Sequence, residues 1–151
     1  MALRETIQHD LVSAMKAREA ERLSCLRMLK TAIDNAAIDV RAKGVELSEE
    51  DVISCVQTQA KRLRESIVDF RKGNREDLVT SAEAELAIID AYLPEQLRED
   101  DIRSVVEAKR AENDTMSMGQ LMGVVMQELQ GKADGGLVRK VVEEVLQGTK
   151  S

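Results

Sequence analysis

Apolar residues recur every three or four positions along nearly all of this chain, and Pro94 is its only proline. That period puts apolar side chains on one stripe of an α-helix; a half-buried strand would need alternation by two. Leu3, Ile7, Leu11 and Met15 predict a helix over roughly 2–17. Leu23, Leu26, Leu29, Ile33, Ala37 and Val40 predict a second over roughly 19–42, broken at Gly44. Ser48 is placed to cap a third helix, with Glu49, Glu50 and Asp51 at the positive end of its dipole. Val52, Val56, Ala60, Leu63, Ile67 and Phe70 form its inner stripe, and Gly73 suits the C′ position after it. Asn74 can cap a fourth helix that buries Leu78, Ala82, Leu86, Ile89 and Leu93.

Pro94 removes a helix donor and pushes Leu93 out of the helical region, so Tyr92-Leu93-Pro94-Glu95-Gln96-Leu97 is the credible domain boundary. Beyond it, Ile102, Val105 and Val106 mark a helix over roughly 98–112. Ser117 and Gln120 make a capping box for a helix with Leu121, Val125 and Leu129 inside, ended by Gly131. Asp134 can cap the last helix, which buries Val138, Val141, Val142, Val145 and Leu146. The expected fold is all-α. An N-terminal multi-helix domain spans 1–93, and a compact three-helix domain spans 94–151. Tyr92, at the junction, is expected to pack one half against the other.

Phe70 and Tyr92 are the only aromatics. Folds that stack bases on aromatic platforms are therefore excluded, and any RNA role is limited to phosphate and shape contacts. Met116, Met118, Met122 and Met126 are expected to fill or cap the core, and a Met-lined partner surface is the other use of such a cluster. The net charge of −6 is unevenly spread: residues 73–101 carry −7, against +2 for 1–45, −1 for 46–72 and zero for 102–151. Net charge alone therefore does not exclude an anionic partner. Two unclustered thiols, Cys25 and Cys55, no N-terminal signal and no long apolar run predict a cytoplasmic protein that does not span a membrane.

No catalytic constellation, cofactor motif or metal site is expected. His9 is the only histidine and falls opposite the apolar stripe of its helix. Cys25 and Cys55 lie at stripe margins and are expected to be half-buried and inert, although Arg22 and Arg62 lie in neighbouring turns and could lower a thiol pKa. Glu76, Glu83 and Asp90 share a helix face, but a two-turn spacing of about 10 Å is too long for one ion. The run Gly131-Lys132-Ala133-Asp134-Gly135-Gly136 reads either as a tight interhelical turn or as a helix N-terminus that holds a phosphate with Lys132, Arg139 and Lys140. Asp134 as N-cap would compete with an anion for the same N–H groups.

Arg22-Leu23 through Arg27-Met28-Leu29-Lys30, Arg75-Glu76-Asp77-Leu78, Tyr92-Leu93-Pro94-Glu95-Gln96-Leu97 and Gly131-Lys132-Ala133-Asp134-Gly135 together resemble the GatB/YqeY family, in order and over essentially the whole chain. The resemblance implies an N-terminal helical domain followed by a small three-helix domain similar to the tail of the tRNA-dependent amidotransferase B subunit. That tail contributes to holding tRNA, and similar modules are attached to some glutaminyl-tRNA synthetases. The family label is carbon–nitrogen ligase activity with glutamine as amido-N-donor, for which these residues supply no constellation. Gly131, Lys132, Ala133, Asp134 and Gly135 match the family turn, while Gly136 stands where many relatives carry a lysine.

Three functions follow as expectations. The first is an accessory module that binds tRNA through Lys16, Arg18, Arg22, Arg27 and Lys30 on the first two helices. Gly131, Lys132, Asp134, Gly135, Arg139 and Lys140 in the tail would contribute as well. The second is a protein-interaction adaptor whose acidic 73–101 segment meets a basic partner such as an aminoacyl-tRNA synthetase or an amidotransferase. The third is a stand-alone amidotransferase.

Overall fold

The structure, a computed structural model, describes residues 2–148. Among these there are seven helices and no strand: α1 (Leu3–Lys16), α2 (Ala20–Arg41), α3 (Glu49–Lys72), α4 (Glu76–Asp90), α5 (Glu99–Glu112), α6 (Met118–Glu128) and α7 (Gly135–Gly148). The chain divides into two compact units between Leu93 and Pro94.

In the first unit α1 packs on α2, and α3 on α4. Ile7, Leu11 and Ala14 of α1 meet Leu26, Leu29 and Ile33 of α2, and Val52, Val56 and Ala60 of α3 close the same core with Ile89 of α4. A smaller cluster of Ile67, Val79 and Ala82 extends it along the α3–α4 pair. In the second unit α7 lies against both α5 and α6. Its core is Ile102, Val106, Leu121, Val125, Leu129, Val138, Val141 and Val142. Met116, Met118, Met122 and Met126 pack half-buried against that core.

Local chemistry sets the helix ends. Ser48 accepts from the Asp51 N–H and Asp51 from the Ser48 N–H, both at 3.1 Å. Ser117 and Gln120 make the same reciprocal pair at 3.3 and 3.0 Å. Each box satisfies two donors that the first turn leaves open. Gly44 (φ 78°) and Gly131 (φ 74°) take the left-handed turns after α2 and α6, where a side chain would be strained.

Four expectations change. Gly73 is not the left-handed residue after α3. Asn74 is (φ 56°), with its N–H on Arg71 O and the Arg75 N–H on Phe70 O. Asn tolerates that conformation, so Asn74 ends α3 instead of capping α4, and α4 starts with no side-chain cap. Met15 is 48% exposed although its spacing continues the α1 stripe, because α1 ends one residue later and the chain turns away. Val79 is buried, since α4 contacts both α3 and α2 and needs a wider apolar face than one stripe. Tyr92 packs on the core of the first unit and donates its hydroxyl to Asp10 at 2.6 Å; its described partners belong to that unit.

Candidate nucleic-acid interface

The turn between α1 and α2 gathers several of the candidate cations. Arg18 holds φ 58° and donates its N–H to Met15 O, while the Glu19 N–H reaches Ala14 O at 3.0 Å. This is a Schellman closure with arginine in the place glycine usually takes. A left-handed L-residue costs about 1–2 kcal/mol. Lys16, Arg18 and Arg27 are exposed and make no ion pair among the described residues.

Arg22 is differently placed. Its guanidinium donates to Glu19 at 3.3 Å and lies 3.9 Å from Asp10. Asp10 also receives the Tyr92 hydroxyl. Burial, and then the Asp10 carboxylate, push the Tyr92 phenol up to about 12. Arg22 thus belongs to a clasp that joins α1, α2 and the chain just after α4. Lys30 is also engaged: Asp34 accepts from it at 2.5 Å and from Arg4 at 3.0 Å. Lys30, then Arg4, hold the Asp34 carboxyl below its ordinary range.

In the tail turn, Asp134 accepts from the Leu137 N–H at 3.2 Å and so occupies part of the α7 N-terminus itself. Arg139 pairs with Glu143 at 3.3 Å, and Lys140 lies 3.7 Å from Glu99. Gly131 O accepts from Gln96 Nε2 at 2.7 Å, and Lys132 O from the Leu97 N–H at 2.7 Å. The loop is therefore tied to the segment after Pro94 within the second unit. Gly135 lies where an added Cβ would sit 3.8 Å from Met126 Cε, an ordinary contact. Lys132 is exposed and has no ion pair among the described residues.

Four of the nine carboxylates of the acidic segment 73–101 pair with arginines, three of which lie outside it. Asp77 pairs with Arg75 at 3.1 Å, Glu83 with Arg71 at 2.6 Å and Asp90 with Arg64 at 2.9 Å. Glu99 sits 3.5 Å from Arg103. The side chain of His9 is 69% exposed. Cys25 is buried with Sγ donating to Glu85 O at 3.7 Å. Burial raises both thiols, Cys25 to about 11, so the nearby arginines do not activate them. Among the described residues no cluster of three His, Cys, Asp or Glu converges as metal ligands. No helix of the described residues is long and apolar enough to cross a membrane.

Two cations outside the expected set, Arg4 and Arg41, line one cavity of about 500 Å3 beside the α2–α3 loop. A helical projection of α2 carries the signal: Arg41 falls on the same edge as Arg27.

Among the described residues these features define a small all-α protein, a four-helix unit followed by a three-helix unit, with exposed unpaired cations around the α1–α2 turn. The chain belongs to the YqeY-like family: the family model described as Yqey-like protein matches residues 4–146. Its relatives include "Altered inheritance of mitochondria protein 41, mitochondrial" of Pyrenophora tritici-repentis, 32% identical over 93% of this chain and 78% of that protein. The protein of the same name from Lachancea thermotolerans is 39% identical over 58% of this chain and 46% of its own length. The E subunit of the glutamyl-tRNA(Gln) amidotransferase of Methanobrevibacter smithii is 46% identical over 32% of this chain, which is 8% of that protein's length.

Proposed function

We propose that this chain is an accessory module that holds tRNA through phosphate and shape contacts, in the service of an amidotransferase or an aminoacyl-tRNA synthetase. The observation that carries the reading is the set of exposed, unpaired cations Lys16, Arg18 and Arg27 around the α1–α2 turn. The likeness of 48 residues to part of a glutamyl-tRNA(Gln) amidotransferase supports it. Lys132 adds one further cation in the second unit. Arg22, Lys30, Arg139 and Lys140 already have carboxylate partners, so each could meet a phosphate only by giving one up. The Gly131–Gly136 loop works as a turn with Asp134 as its cap, and its Lys132 is the contact it offers. Two aromatics leave no platform for bases, so recognition is of backbone and fold.

The family's ligase label, glutamine-dependent carbon–nitrogen bond formation, is assigned to the larger assemblies such a module serves. A cytoplasmic location goes with this reading, although the fungal relatives are named as mitochondrial. The adaptor reading is weaker, because four of the nine carboxylates that would face a basic partner are already spent on Arg64, Arg71, Arg75 and Arg103.

The test is direct binding of total deacylated tRNA to the purified chain and to the triple variant Lys16→Gln, Arg18→Gln, Arg27→Gln. Binding by the wild type and its loss in the variant are expected. Equal affinity of the two proteins would remove the α1–α2 turn from the account.

A further inference from the structure

Three of the four cations of α2 share one edge. At about 100° per residue, Arg27, Lys30, Asp34 and Arg41 fall within about 60° of arc, whereas Glu21 and Asp39 lie more than 100° from its centre. From Arg27 to Arg41 this edge runs about 21 Å along the helix. It ends at the cavity of about 500 Å3 lined by Arg4 and Arg41 and closed by the loop through Gly44 and Leu47. Arg41 is exposed and has no ion pair among the described residues. The backbone N–H groups of Glu46 and Leu47 make no hydrogen bond among the described residues. Among the described residues, Glu46 is the one acidic side chain in the cavity wall. Midway along the edge, Asp34 accepts from both Lys30 and Arg4. A carboxylate bridging two cations stands where a phosphate oxygen would stand.

We infer that the basic edge of α2 is a track for successive RNA phosphates that begins at Arg27 and ends in the Arg4–Arg41 cavity, and that Asp34 is a built-in competitor that lowers affinity by occupying Arg4 and Lys30. The inference rests on the reading that the chain holds RNA. It extends that reading to two residues, Arg4 and Arg41, and gives one carboxylate an opposing role. Phosphate contacts act through charge, so each one lost weakens binding and reduces the salt dependence by about one unit of slope. A carboxylate removed from between two cations acts in the opposite direction.

The experiment measures binding of total tRNA by the full chain and by Arg41→Gln and Asp34→Asn across a salt series, with circular dichroism to show that each variant is folded. Arg41→Gln is expected to bind about threefold more weakly at moderate salt, with a shallower slope. Asp34→Asn is expected to bind more tightly, with a steeper slope, an effect that damage to the fold does not produce. If the wild type binds tRNA and both variants match it, the track is wrong and the tRNA reading stands. If Asp34→Asn binds more weakly, the competitor role is wrong. If the wild type binds no tRNA at low salt, the reading and the inference fall together.

Discussion

Arg18 sets a conflict between stability and contact at a single residue. Its left-handed backbone favours glycine, so Arg18→Gly is expected to stabilise the chain by about 1 kcal/mol in urea unfolding while weakening tRNA binding. A variant that is both less stable and equally competent would contradict both halves of this account. Tyr92 gives a second residue-scale prediction. Its hydroxyl donates to a carboxylate, and Tyr92→Phe should cost about 1–2 kcal/mol. The pH dependence follows from Cys25 and Tyr92. Burial raises Cys25 from 9.0 to about 11, with Glu85 and Glu21 adding to it, and raises Tyr92 from 10.0 to about 12 against a lowering by Arg22. A raised folded pKa contributes stability that is full below the unfolded value and lost as pH rises toward the folded one. Thermal melts should therefore hold steady up to about pH 9 and fall between about 9 and 12, and Tyr92→Phe should flatten the upper part of that fall. Asp34 acts at the other end of the scale. Its lowered pKa supports the fold at neutral pH and ceases to do so as pH falls through the carboxylate range.

At the scale of elements, the caps explain why the sequence located helices so closely. Ser48 with Asp51, Ser117 with Gln120, and Asp134 with Leu137 are short-range chemistry, decided within four residues. Ser48→Ala and Ser117→Ala should each cost about 1 kcal/mol, measured as a shift in the denaturation midpoint. What the sequence did not give away depends on neighbours far along the chain. Val79 is buried because α4 meets two helices, and Tyr92 finds Asp10 across 82 positions. Asn74 takes the turn that Gly73 suggested, since left-handed backbone can fall on either residue of such a pair. The candidate cations were legible as charges and not as free charges. Whether Arg22 or Arg27 is available depends on Glu19, Asp10 and Tyr92 meeting the first and none of the described residues meeting the second.

At the scale of the whole molecule, the main cores of the two units share no described residue, although both units come from one continuous helical pattern. The segment 1–93 made alone is expected to unfold cooperatively when followed by circular dichroism, and a gradual non-cooperative melt would contradict it. The shorter segment from Pro94 onward has less surface to bury and is expected to be the less stable of the two. The net charge of −6 also takes a different meaning here. Part of its acidic share is tied to neighbouring arginines, while Lys16, Arg18, Arg27, Arg41 and Lys132 stay open to solvent. An acidic protein can hold a polyanion where unpaired cations gather on one stretch of its surface. The measurement that bears most directly on this claim is filter binding of total tRNA by the purified chain at 50 and 200 mM salt. Three phosphate contacts predict that affinity falls roughly 20- to 40-fold across that range. Binding that is absent at the lower salt, or unchanged between the two, would contradict it.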